Sequence, residues 1–327
     1  MLIGLRGFGG INGKAISFTA TANTVANVTA GLVALWEAST VAEFTEVTAT
    51  NANTHVLLTA DTAGIPFTVT GSTTDGDASN TQTLTVNTTV AASGPNLVDL
   101  AANWSTAAAP ANTDDIVFEH SDVDCLYNLD ALAAIIVNSL TINQSYTGKI
   151  GLARMNDSDY LEYRPTSLNL GSNTVTIGLG DGQGSGRINL DAAASNTAVT
   201  IYNSGSALED GIPAILLEDT GAAAIVNIYK GDVGIAFLAG ETASVATLRV
   251  GYVENQQADA IVTCGSGTTL TTIVKTGGSL DIRSNVTTIT QDAGDLTIGG
   301  AATVTTLNLN AGTLYDQSTG TFATVNV

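Results

Sequence analysis

Several groups of residues in this 327-residue chain have types and spacings that could do chemistry. Adjacent acids occur at Glu209 with Asp210 and at Glu218 with Asp219, and Glu254 stands nearby in sequence. Paired carboxylates a few ångströms apart are the machinery of glycoside hydrolysis, one as acid and one as base or nucleophile. That work needs a raised pKa and a groove, and nothing in the sequence selects a pair, so no catalytic residue is assigned. Both histidines lie far in sequence from these acids. In Glu119-His-Ser-Asp-Val-Asp-Cys125, a strand would put His120, Asp122 and Asp124 on one face, where they could hold a cation. A solvated acidic edge explains the same residues, and no metal ligand is assigned. Asn156 to Glu162 offers oxygen donors without the glycine and distal glutamate of a calcium loop, and reads as a plain loop. Gly180 to Gly186 (GDGQGSG) resembles part of a calcium-binding nonapeptide repeat but occurs once, which makes it an exposed turn. Gly7 to Lys14 fits neither phosphate-loop spacing and reads as a flexible arm. Cys125 and Cys264 lack CxxC partners and are expected as buried thiols, with no cofactor. What remains is an aromatic set: Tyr202, Tyr229 and Tyr252 follow like residues in successive repeats. They suit the wall of a glycan groove or a subunit contact.

Composition limits the partners. Ten Lys plus Arg stand against 30 Asp plus Glu, for a net charge of -20. Phosphate backbones and anionic membranes are repelled by such a chain, so no nucleic-acid or membrane partner is expected. Met1 to Gly10 has no basic region ahead of a long apolar run, and no stretch approaches 18 apolar residues, so neither a secretion signal nor a membrane helix is expected. With 49 Thr, 34 Gly and 5% aromatics, the core must be built from small aliphatic and β-branched side chains.

The elements that would position these residues fall into two parts. Lys14 to Ala22 alternates as a strand; Val25, Val28, Leu32, Leu35 and Trp36 then follow helical spacing. Strands are expected at 44–50, 54–60, 66–70 and 84–90, giving a βαββββ domain over residues 1–95. From 96 onward a repeat takes over. Leu270-Thr-Thr-Ile, Val286-Thr-Thr-Ile, Val304-Thr-Thr-Leu and Phe322-Ala-Thr-Val recur in register, with Gly278, Gly294 and Gly312 and then Leu280, Leu296 and Leu314 at fixed offsets. Upstream, Val175, Val199 and Val226 open one series, and Leu140, Leu168, Ile188 and Ile215 a second. A sandwich has no reason to repeat like residues at like positions, whereas coils of a parallel β-solenoid bury their apolar faces only by stacking. The fold class expected is therefore mainly β: a small βα domain followed by a parallel β-helix over 96–327, with coils shortening toward the C-terminus.

Ala42-Glu-Phe-Thr-Glu-Val-Thr-Ala-Thr with Val56 to Thr70 resembles a small domain at the start of structural proteins of tailed bacteriophages. Asn103-Trp-Ser-Thr-Ala with Asn112-Thr-Asp-Asp-Ile-Val-Phe is similar to the start of the β-helical part of such proteins. The resemblance implies a non-enzymatic virion protein, a capsid decoration or head fibre whose residues 1–95 anchor to the particle while the solenoid projects. Its partners would be other virion proteins of the capsid or tail. A tail fibre or tailspike acting on host glycan is the alternative. The open strand edge of the last coil, Phe322 to Val327, is expected to be covered by assembly, with a homotrimer as the expected state.

Overall fold

A computed structural model describes residues 2–7, 14–22, 24–74, 83–209, 211–251 and 260–327. The chain divides into two compact units, one formed by 1–94 with 152–165 and the other by 95–151 with 166–327. Residues 152–165, read from sequence as solenoid, thus belong to the small unit.

In the small unit, Leu2–Gly7 is the middle strand of an antiparallel sheet, between Ala15–Thr19 and Val69–Thr74. This strand precedes the segment 7–14 expected as an arm, of which residues 8–13 lie outside the described residues. The expected strand at 84–90 is absent from the described residues, and that at 66–70 is displaced to 69–74. Helix α1 (Val25–Glu37) starts where Thr24 accepts the Asn27 N–H at 3.2 Å, and it buries Val28, Leu32 and Trp36 on one stripe. A short α2 (Ala42–Thr45) occupies the start of the segment expected as strand. Here the Trp36 indole N–H decides the backbone path, donating to the carbonyls of Phe44 (3.1 Å) and Val47 (2.6 Å) while its ring meets Phe44 edge-on. Strands Val47–Asn51 and Val56–Ala60 then form a hairpin.

The second unit is a parallel β-solenoid. From Leu168 onward each coil adds one strand to each of two sheets, here called A with ten strands and B with eight, and the earlier coils meet sheet B only through isolated bridges at Cys125 and Ile150. Within sheet A, register runs Ile116, Leu140, Val175, Val199, Val226, Leu248, Ile273, Ile289, Leu307. In sheet B the matching column is Cys125, Ile150, Ile188, Ile215, Val233, Val262, Leu280, Leu296, Leu314. All but the last of these residues are buried. Stacked aliphatics interlock at close-packed density, which is what makes an aromatic-poor chain able to build a core. The step between register partners falls from 27 residues at Val199 to Val226 to 18 at Val304 to Phe322, so the coils shorten as expected.

Two pairings differ from the sequence reading. Leu140 belongs to sheet A, paired with Val175, and Leu168 pairs with Leu190 instead of Ile188. A slip of two residues keeps every side chain on the same face, so an apolar pattern alone does not exclude it. The first coil is closed by aromatics: Trp104 packs edge-on against Phe118, which packs against Tyr146, and the Trp104 N–H donates to the Val98 carbonyl at 2.8 Å.

Candidate functional site

The residues singled out from sequence separate into four places. Tyr202 and Tyr229 each follow the last inward residue of a sheet A strand, Ile201 and Ile228, and these two are register partners. The rings therefore stack, with centroids 5.5 Å apart and planes tilted by 42°. Tyr202 is 41% exposed and Tyr229 half-buried. One coil further, Ile228 pairs with Val250, so the matching position is Gly251; Tyr252 lies outside the described residues. Among the described residues the set is a tilted pair, able to present one ring edge and one partial face to a ligand.

Of the acids, Glu209 forms an ion pair with Arg187. Asp210 and Glu254 lie outside the described residues. Glu218 stands beside Asp191 in the next coil, and Asp191 accepts from the Asn169 amide at 2.7 Å and the Ala193 N–H at 2.8 Å. Burial raises the Glu218 carboxyl to about 7, opposed by a hydrogen bond from Ser167 and reinforced by the charges of Glu241, Asp191 and Asp219. Burial raises Asp191 as well. Glu241 accepts the Leu238 N–H at 2.8 Å. A raised carboxyl folded against an ordinary value of 4.5 holds its proton in the native state. Its contribution to stability is full below pH 4.5 and is lost as pH rises to about 7. Glu218→Gln is therefore expected to raise the unfolding free energy at pH 8 by about 1–2 kcal/mol, partial exposure screening the rest, and to change nothing at pH 4. Denaturant titrations at the two pH values check this.

His120 does not share a face with Asp122 and Asp124. Residues 119–124 are not a strand, and His120 has φ 48°. Asp124 accepts the Lys149 N–H at 2.7 Å, and Glu119 accepts from the Asn143 amide at 3.0 Å. Among the described residues no group of three or more His, Cys, Asp or Glu is placed to hold a metal. The Gly180–Gly186 segment is a turn exposed at 180–183, as expected; at Gly182, which has φ 145°, a Cβ would lie 2.1 Å from the Gln144 carbonyl oxygen of the neighbouring coil. Close approach of stacked loops accounts for Gly182, and positive φ for Gly180. Both cysteines are buried, and burial pushes each thiol up to about 12. They act as small apolar core residues.

Two features were missed by sequence reasoning. The first lies inside sheet A, where the column Ile142, Ile177, Ile201, Ile228, Val250 continues with Lys275 and Gln291, both fully buried. The Lys275 ammonium donates to the carbonyls of Gly278 (2.8 Å) and Ala293 (2.7 Å); the Gln291 amide donates to those of Gly294 (2.7 Å) and Thr313 (3.1 Å). Each side chain thus ties its own turn to the turn of the next coil. Those turns use Gly278, Gly294 and Gly312, all at positive φ. Burial lowers Lys275 to about 8. Aligning the last strands places Lys275, Gln291 and Leu309 at one position, and that alignment is the signal that reveals them.

The second is in the small unit. Residues 152–165 fold as a hairpin that brings Tyr160, Tyr163 and Arg164 to Glu46, at the end of α2. Glu46 accepts from the Tyr160 hydroxyl, from the Tyr163 hydroxyl at 3.1 Å and from Arg164 Nη2 at 3.2 Å. Arg164 also pairs with buried Glu162 at 2.7 Å and lies 4.6 Å from the Tyr163 ring centroid. The two tyrosine rings are parallel within 12° at 6.4 Å. Burial raises both hydroxyls, so the cluster is neutral at the tyrosines and ionic at Arg164 with its two carboxylates.

The geometry offers scaffolding: stacked coils, a tied interior, a clamped small unit and a surface tyrosine pair. No protein-family model, curated protein or solved structure matches this chain.

Proposed function

We propose that the chain is a non-enzymatic structural protein of a tailed-bacteriophage particle, a capsid decoration or head fibre, in which the small unit binds the particle and the solenoid is the displayed element. The observation that carries this reading is what the placed acids do. Asp191, Glu209, Glu241, Asp124 and Glu119 all hold backbone or side-chain donors in place. Such a surface is built for persistence. The resemblance of 42–50, 56–70, 103–107 and 112–118 to phage structural proteins supplies the kind of particle. An antibody against the solenoid, used on heads and tails separated from a lysate of the phage that encodes the chain, tests it. Signal on heads is expected, and signal on neither fraction overturns the reading.

The tilted Tyr202 and Tyr229 pair supports a second reading, a tail fibre that binds host glycan. Retention on host polysaccharide lost in Tyr202→Ala with Tyr229→Ala would favour it, and shortening of the polysaccharide would make the protein an enzyme.

A further inference from the structure

The two sheets of the solenoid differ in charge. Strands of sheet B carry Asp191, Glu218, Asp232, Asp281, Asp295 and Asp316. The nine sheet A strands from Ile136–Asn143 to Phe322–Asn326 contain no Asp or Glu. Arg249 is their one outward charge, since Lys275 is turned inside. Outward columns are hydroxyl and amide: Thr272, Thr288, Thr306 and Thr324 align in successive coils. In the neighbouring column the Asn308 amide donates to Thr290 Oγ1 at 3.3 Å, and the Asn326 amide to Asn308 Oδ1 at 2.7 Å.

From this distribution we infer that the outer face of sheet A is the docking surface for a second copy of this chain. Each copy carries -20, so two copies repel wherever their carboxylates approach within a Debye length, about 8 Å at physiological salt. Apart from the first strand, where Asp115 is exposed and accepts from Asn138 and Ser139, sheet A is a continuous solenoid surface whose strands carry no carboxylate. Desolvating hydroxyls and amides costs far less than desolvating ions, and the asparagine amides already have partners along the stack. Nine strands at about 4.8 Å and three outward columns at about 6.7 Å span an area on the order of 600 Å² per copy. That is under the roughly 800 Å² per partner of a stable interface, which puts it in the size class of weaker contacts. The inference stands apart from the virion reading, because location on a particle and assembly state are measured separately.

Sedimentation velocity of the full chain at tens of micromolar, in low and physiological salt, tests it. Oligomers that strengthen with salt are expected. Thr288→Glu with Thr306→Glu should weaken them at least tenfold, and the near-isosteric Asn308→Asp should weaken them in the same direction if the first variant folds poorly. Thr297→Glu, outward on sheet B, should leave them unchanged. A monomer under all conditions overturns the inference. So does an oligomer indifferent to the sheet A variants, which would place assembly elsewhere. A monomer retained by a neutral polysaccharide through these threonines also overturns it, giving the face to a glycan.

Discussion

Gly265→Ala is expected to destabilise the solenoid by about 3 kcal/mol, whereas Gly299→Ala leaves it within about 0.5 kcal/mol of wild type. Both glycines follow the last residue of a sheet B strand, and neither has a positive φ, so backbone conformational freedom does not distinguish them. Space does. A Cβ on Gly265 would fall 1.8 Å from the Ala236 carbonyl oxygen of the preceding coil and 2.8 Å from its carbon, while one on Gly299 meets nothing within 4 Å. The Gly265 N–H also donates to the Ile235 carbonyl at 2.9 Å, which pins the two coils at this distance. No rotamer relieves overlap with a backbone atom; the coils themselves must part and lose that bond. Urea unfolding followed by far-ultraviolet circular dichroism reads the difference. Equal midpoints for the two variants would show that the coils are not stacked as described.

Arg164→Ala should cost the small unit about 3 kcal/mol, because it leaves Glu162 charged and buried without its guanidinium. Two backbone N–H groups, of Tyr163 and Arg164, still reach Glu162 at 2.9 Å and limit the loss. Glu46 loses a second bond at the same time. Arg164→Lys is expected to recover only part, since an ammonium cannot reproduce a planar fork shared between two carboxylates and stacked on a ring. The chain's two tryptophans fall one in each unit, Trp36 in the small unit and Trp104 in the solenoid. In a Trp104→Phe background, Trp36 fluorescence against denaturant therefore reports the small unit alone. An unchanged midpoint would contradict the structural role given to the clamp.

These two sites differ in how far they could be read from sequence. The repeated Val-Thr-Thr-Ile units gave the sheet A register directly, because Leu270, Val286, Val304 and Phe322 are stacked partners. Coil-to-coil spacing is short, so the chain's own periodicity carries the information. Gly265 has no such mark: its role depends on which carbonyl the coil above presents. The Glu46 clamp was invisible for a different reason. Its bonds join residues more than a hundred positions apart, and Asn156 to Arg164 has only local loop character until Glu46 is brought to it. Tyr202 and Tyr229 were aligned correctly by their preceding isoleucines, while in the next coil Gly251 follows Val250 and Tyr252 lies outside the described residues. Lys275 shows the limit of polarity as a guide. Position in the column put it inside, and two carbonyls made the inside tolerable.

In-register stacking, with inside and outside fixed by coil length, is the central claim. Removing residues 286–303 deletes one 18-residue coil and brings Val304 to the place of Val286, keeping every inward residue inward. Removing 286–302 deletes one residue fewer and turns each following side chain to the opposite face. Amide hydrogen exchange of the two deletions over 304–309 is the measurement. Protection matching wild type in the 18-residue deletion and lost in the 17-residue deletion is the result predicted, and equal protection in both would contradict it.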